Sequence, residues 1–225
     1  MSLFTRLMVS GAVIATIYSL INSYKEKHSP SRPTSSLPDK RLLACPNYEK
    51  YAKQNLTKTH TVEDWGEIYK REKQDKTSGE KYALNVLYMS PQRAALYEIF
   101  FNIKRQQWER NGQALPEGMY NIVITKEWKM LAFNDDDEEL FNAVINQKKL
   151  SSKVFLKHIS LASGECAFFA GMASLEKGRF TWNGRSGHFR PKEIHVSLCK
   201  KWLKCHRVTD AIYIKHEKEK IRERL

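Results

Sequence analysis

The sequence predicts an α+β domain with a mainly antiparallel sheet and flanking helices, preceded by a single N-terminal transmembrane helix. Short apolar runs bounded by glycine or polar turns crowd the second half of the chain, while apolar residues at helical spacing occur in blocks before and between them. Strands grouped in this way favour α+β over a sheet whose strands alternate regularly with helices. An uncharged segment near the N-terminus predicts the transmembrane helix.

Residues 7–21, LMVSGAVIATIYSLI, contain no charged side chain. Extended to 3–22, the segment reaches the roughly 20 residues that a membrane span needs, with Arg6 snorkelling to the interface. The alternative is a cleavable signal peptide, although no A-x-A-like site follows before Tyr24. We expect residues 1–27 to form a single-pass anchor, and the flanking positive charges favour the cytosolic side for the domain.

The composition indicates a folded domain with a basic surface. The net charge is +13 and the pI about 9.5, yet 41% of the residues are hydrophobic, which excludes a disordered polycation. A basic surface attracts nucleic acid, anionic lipid head groups or acidic proteins, and charge alone does not choose among them. Four cysteines without close CxxC spacing argue against a disulfide framework and favour a reducing compartment.

Proline and serine mark the start of the domain. Residues 28–41 include HSPSRPTSSLPDK, which has no apolar periodicity and is typical of an extended linker. The α+β domain is therefore expected over 42–214. The highly charged end of the chain, 215–225, is expected to be a tail.

Three helices are predicted in the first part of the domain. The first covers about 47–56, and the second covers about 62–76, with Thr61 and Asp64 at the spacing of a capping box. Ser90 followed by proline predicts a third helix, which runs to about Arg110. Apolar residues at helical spacing support it: Leu96, Ile99, Phe100 and Ile103.

The pattern then changes to strands. The predicted strands are MYNIVIT (119–125), WKMLAF (128–133), KVFLKHISL (153–161), CAFFAGMASL (166–175), RFTWN (179–183) and a closing VTDAIYI (208–214). NDDDEELFNAVINQ (134–147) predicts a helix among them. A last packed helix is predicted from Pro191 to about Cys205.

The region 157–191 carries the strongest functional signal. In the predicted strands, His158 and Ser160 alternate on one face, as His188 and Arg190 do after Gly187. Glycines between them permit tight strand connections. We therefore predict that the two histidines, the serine and the arginine converge on one concave surface, with Gly171, Ser186 and Gly187 as binding positions.

This region resembles the C-terminal domain shared by plant calmodulin-binding proteins with an IQ motif and by bacterial, often effector-like, proteins. The family pattern is H-S-S-F-L-A-G-G, then a segment ending A-G, and later S-G-H-Y-[RK]-P. Here His158-Ile-Ser-Leu opens it, Gly164 holds a glycine position, Ala170-Gly171 follows at the matching distance, and Ser186 to Pro191 reads SGHFRP. The resemblance covers about 119–214. It departs from the pattern at Ile159 and Phe189, and the region 134–153 looks like an insertion.

Two functions fit these residues. The resemblance implies an effector-like interaction domain with a protein partner, which the uncharged N-terminal segment would tether to a membrane. The alternative is a hydrolase or transferase for a phosphate-containing substrate, nucleotide or RNA. In this reaction one of His158 and His188 acts as base and the other as acid, Ser160 is a nucleophile or an anchor, and Arg190 holds an anion. Against catalysis, no carboxylate is evidently placed to orient a histidine, and the same side chains could instead bind backbone groups internally.

Other ligands have weaker signals. The I-Q-x-x-x-R-G-x-x-x-R element is absent, so calmodulin would need an amphipathic helix, either around Phe100 or around Trp202 with Lys200, Lys201 and Lys204, and core-packed helices have the same pattern. The set His195, Cys199, Cys205 and His206 lacks zinc spacing. We therefore predict neither a metal nor a cofactor.

The anchor makes a direct prediction. Full-length protein should remain with membranes after carbonate extraction, and deletion of residues 1–27 should release it, because the deletion removes the only long uncharged segment of the sequence. Fractionation followed by immunoblotting measures both forms. Uncleaved full-length protein in the supernatant would contradict the anchor.

Overall fold

The computed structural model describes residues 37–43, 56–74, 81–147 and 154–215, and it confirms the α+β class. The strands are β1 (Leu56–Val62), β2 (Gly66–Gln74), β3 (Lys81–Met89), β4 (Ile99–Asn102), β5 (Gln107–Arg110), β6 (Gln113–Ala114), β7 (Gly118–Thr125), β8 (Met130–Phe133), β9 (Val154–Phe155), β10 (Ala167–Glu176), β11 (Arg179–Asn183) and β12 (Ile212–Tyr213). The helices are α1 (Pro91–Ala94), α2 (Asp135–Gln147), α3 (His158–Leu161) and α4 (Glu193–Cys205), with 3-10 turns at Lys40–Leu42 and Ala95–Tyr97.

The central sheet has the strand order β12-β11-β10-β7-β8, and all its pairs are antiparallel except β11 with β12. Its middle strands are buried on both faces. In β7, Val123 belongs to one apolar cluster, whereas Ile122 and Ile124 belong to another. The sheet is therefore covered on each side by a separate core.

Different elements cover the two faces. The first core joins the central sheet to a four-stranded sheet, β1-β2-β3-β9, together with α3 and Phe189. The second core joins it to α4 and to the three-stranded sheet β4-β5-β6, around Trp108, Phe180 and Trp202. Trp108 stacks on Phe180 with ring centroids 4.3 Å apart, and Trp202 Nε1 donates to the carbonyl of Trp128.

The later strand and helix predictions are largely confirmed. Strands occupy most of 119–125, 130–133, 167–176 and 179–183, and helices occupy Asp135–Gln147 and Glu193–Cys205. The closing strand is present but short, at Ile212–Tyr213.

The helix predicted at 62–76 is wrong, because this segment forms the β1–β2 hairpin. Of the two residues that resemble a capping box, Thr61 lies in β1, and Asp64 lies in the tight turn that follows, where Asp64 and Gly66 have φ angles of 67° and 131°. A Cβ on Gly66 would lie 2.0 Å from the carbonyl oxygen of Tyr88, because β3 approaches that closely. Of the helix predicted at 47–56, only Leu56 is described, and β1 begins there.

The helix predicted from Pro91 to Arg110 is also wrong. Ser90 does cap a helix, since its Oγ accepts the Arg93 N–H, but α1 ends at Ala94. A 3-10 turn and the β4–β5 hairpin follow, with Gln106 at a φ of 51° in the hairpin turn. Pairing with β5 satisfies the backbone of β4, and alternation buries Ile99 beside the central sheet, so tertiary packing overrides the helical pattern.

No helix of the described residues is long and apolar enough to span a membrane. The predicted anchor, most of the predicted linker and most of the charged tail lie outside those residues.

A partly buried ion pair links the three-stranded sheet to α2. Arg110 in β5 donates to both carboxylate oxygens of Asp137, over 2.8 and 3.0 Å. Asp137 also accepts the N–H of Asn134, whose side chain accepts the N–H of Asp137 in return. One carboxylate thus caps the helix and neutralises the guanidinium.

Substituting Asp137 should therefore lower the free energy of unfolding by more than the loss of a solvent-exposed ion pair would. We expect Asp137→Ala to lower the free energy of unfolding by about 3 kcal/mol, because Arg110 would stay largely buried without a counter-ion. Urea denaturation measures the change. Glu165→Ala is the control, since it breaks only the solvent-exposed pair with Lys126 and should cost less than about 1 kcal/mol. Equal losses in the two variants would contradict this role for Asp137.

Candidate functional site

His158 and Ser160 lie in a helical turn, α3, so the predicted strand over 153–161 is wrong beyond Phe155. The turn is closed by two reciprocal hydrogen bonds: Lys157 N–H donates to Ser160 Oγ over 2.9 Å, and Ser160 N–H donates to the carbonyl of Lys157 over 2.8 Å. A serine side chain that binds the backbone in this way favours a helix start over a strand. Ser160 is fully buried, and its hydroxyl has a structural partner.

The imidazole of His158 is buried against β10. Its Nε2 lies 2.8 Å from the carbonyl oxygen of Gly171. Because a carbonyl can only accept, the neutral ring must carry its proton on Nε2. Burial lowers the pKa of His158 to about 4, against a weaker raising effect of the Gly171 hydrogen bond. This histidine is neutral at physiological pH, and its donor binds the backbone.

Gly171 lies where two strands approach closely. A Cβ at this position would fall 2.0 Å from the carbonyl oxygen of Asn183, at the end of β11, and 2.8 Å from the ring of Phe169. No other residue fits without moving the backbone. Because Gly171 has no Cβ, β10 can pack against α3 on one side and closely against β11 on the other.

The SGHFRP segment forms the loop between β11 and α4. Ser186 Oγ accepts the N–H of Phe189 over 3.4 Å, and the Ser186 carbonyl accepts the N–H of Arg190 over 3.1 Å. Phe189 is buried in the same apolar cluster as Ile159 and Ala170. The two ends of the motif therefore meet in one core.

The same loop turns its charged side chains outward. Arg185, Arg190 and Lys192 are exposed, as is Gly187, while His188 is half-buried. Arg190 has a φ of 44°, a conformation that side-chain-bearing residues rarely adopt. We call residues 185–192 the basic loop.

The predicted site residues thus differ in environment. His158, Ser160, Gly171 and Ser186 are buried in the fold, whereas Gly187 and Arg190 are exposed. Since α3 is helical, the strand alternation that grouped His158 with Ser160 no longer applies. The convergence of His158 with His188 and Arg190 on one concave surface stays a prediction.

Sequence reasoning missed the structural role of His195. Its Nδ1 accepts the N–H of Lys192 over 2.7 Å at the start of α4. Burial lowers its pKa. A polar residue three positions after a helix start was the available signal. The described residues contain no group of three or more side chains arranged to hold a metal ion.

The two calmodulin candidates also look different in the fold. The segment around Phe100 is a strand and turn. The segment around Trp202 is helical, in α4, but Leu198, Cys199 and Trp202 are buried in the second core. A calmodulin lobe would have to contact side chains that the folded domain already covers.

No family model, curated protein or solved structure matches the chain. The resemblance to the calmodulin-binding and effector-like proteins therefore stays a proposal.

The buried imidazole predicts a pH dependence of stability. The pKa of His158 is about 4 in the folded protein and about 6.5 when unfolded, so the unfolded chain binds one more proton between these values. The free energy of unfolding is unaffected by His158 titration above about pH 6.5. It falls by about 3 kcal/mol as the pH drops to 4, because the unfolded chain takes up the proton first. Denaturation midpoints across this range measure the slope. His158→Gln should flatten the slope by one proton, and equal slopes in wild type and His158→Gln would contradict the assignment.

Proposed function

We propose that this chain is a membrane-tethered, basic interaction domain of the effector-like kind, which binds a protein partner at a membrane surface. The observation that carries the proposal is that polar side chains of the motif form hydrogen bonds with backbone groups inside the domain. His158 binds the Gly171 carbonyl and Ser160 binds the Lys157 N–H, so both serve the fold. Structural hydrogen bonds of this kind are what buried polar groups require.

The basic loop supports a binding function because, unlike His158 and Ser160, its charged side chains are exposed. Three of its side chains, Arg185, Arg190 and Lys192, carry positive charge and are exposed. The hydrogen bonds of Ser186 and the buried Phe189 hold the loop from beneath, so these charges sit on a fixed backbone. A fixed positive loop suits an acidic patch on another protein, because little entropy is lost on binding.

The alternative is phosphoryl chemistry, and one observation favours it. Arg190 keeps an unfavourable backbone conformation, and such strain is concentrated at functional sites. In this reaction His188 and Arg190 would act on a nucleotide or RNA phosphate. His158 would be a poor base there, because the nitrogen that contacts Gly171 is protonated and the ring is buried.

One set of variants separates the two functions. His158→Ala should lower the free energy of unfolding by about 3 kcal/mol, because it leaves a cavity and an unpaired Gly171 carbonyl. The melting temperatures of His188→Ala and Arg190→Ala are measured as well, so that a loss of activity can be separated from a loss of folding. Each protein is assayed for hydrolysis of a nucleotide and of RNA. Turnover by wild type that His188→Ala abolishes with folding intact would overturn the interaction domain in favour of the enzyme.

Binding is tested by photo-crosslinking in cells that express the protein. A photoreactive amino acid at position 185 should give a defined protein adduct, and Arg190→Glu should abolish it without changing the melting temperature. Position 126 is the control site, because it is exposed and is distant from the loop in the sequence. A photoreactive amino acid there should give no adduct. An adduct that survives Arg190→Glu would remove the basic loop from the interface.

A further inference from the structure

We infer that the outer face of α4 docks on the head groups of an anionic lipid bilayer. Ile194, Ser197, Lys200, Lys201 and Lys204 are exposed and share one side of the helix. We call these five residues the lysine face. The inference rests on the proposed membrane tether and names the surface that the tethered domain turns to the bilayer.

The opposite side of α4 fixes the direction of the lysines. Leu198, Cys199, Trp202 and Leu203 are buried in the second core, and Trp202 Nε1 donates to the carbonyl of Trp128 over 3.0 Å. The helix cannot rotate without exposing these side chains. The three lysines therefore present a preformed patch of charge.

Within the part of the chain that the structure describes, the lysine face lacks carboxylate partners. No carboxylate of the described residues forms an ion pair with Lys200, Lys201 or Lys204. Lys200 lies over the ring of Tyr213, with Nζ 5.2 Å from the centroid, a contact that leaves its charge unneutralised. Glu193 is the acid on this side, at the first turn of the helix. Anionic head groups would supply the missing counter-charges.

The point where the chain enters the domain brings α4 near the anchor. Leu42 and Leu43, at the start of the domain, pack against the second core, to which the buried side of α4 also belongs. Nine residues, 28–36, separate the proposed anchor from Leu37, and nine residues span at most about 30 Å. An anchored chain therefore keeps the start of α4 close to the bilayer.

The exposed apolar residues favour lipid over nucleic acid. None of the large hydrophobic side chains exposed among the described residues is aromatic, and Ile194 lies on the lysine face itself. Proteins that bind single-stranded nucleic acid stack bases on aromatic rings. Aliphatic and lysine side chains together suit the boundary between head groups and acyl chains.

The full-length protein in lipid nanodiscs tests this inference. Lysine acylation is followed by mass spectrometry in discs of phosphatidylcholine alone and in discs that also contain phosphatidylserine. Phosphatidylserine should slow labelling of Lys200, Lys201 and Lys204 by on the order of tenfold. Lys70, Lys104 and Lys177, which are exposed elsewhere, are the internal controls and should be unaffected.

Variants identify the face that causes the protection. Lys201→Gln/Lys204→Gln should restore labelling of Lys200 in anionic discs, whereas Lys104→Gln/Lys177→Gln, with the same charge change, should not. Equal labelling in both kinds of disc, or equal protection of the control lysines, would overturn the inference. So would protection caused by an added RNA but not by phosphatidylserine, which would assign the face to nucleic acid.

Failure of the tether gives a different result. A chain that does not stay with phosphatidylcholine discs contradicts the anchor and so the proposed function. In that case, the lysine acylation experiment is repeated on the free protein with and without phosphatidylserine vesicles. It then tests the lysine face independently of the anchor.

Discussion

The burial of β7 and β10 on both faces is the constraint on which the rest of the fold depends. Residues 167–171 of β10 are completely or almost completely inaccessible, and Ile122, Val123 and Ile124 of β7 are equally so. A sheet whose middle strands are apolar on both sides needs two covering layers. The four-stranded sheet with α3 supplies one layer, and α4 with the three-stranded sheet supplies the other. These layers also carry the candidate functional residues.

The motif follows from this arrangement. At Gly171, β10 must pass close to the end of β11 and also accept α3, so a glycine without Cβ and a histidine donor meet there. A polar side chain in such a position is tolerated only when it is hydrogen-bonded, and His158 is neutral because burial disfavours its charged form. Packing and backbone pairing thereby explain His158, one of the residues that look like catalytic groups in the sequence.

The basic residues of the described domain are arranged differently. Lysine and arginine side chains lie on the outer faces of the same elements, in the basic loop and along α4, since buried charges need partners and solvated ones do not. Both surfaces are therefore anchored from beneath by buried aromatic residues, Phe189 in one case and Trp202 in the other. Rigid presentation of like charge suits recognition of an anionic surface better than it suits proton transfer.

The sequence by itself determined the α+β class, the strands predicted at 119–125, 128–133, 166–175 and 179–183, and the helices α2 and α4, because their apolar period and turn residues agree with the packing they adopt. It also picked out the segment 158–191 as one unit. Only the tertiary structure decided that 56–74 and 99–110 are hairpins, because strand pairing and burial against the neighbouring layers overrode a local helical pattern. It likewise decided that His158 faces Gly171, since a side chain's hydrogen-bond partner 13 residues away depends on how the strands pack and has no local signal.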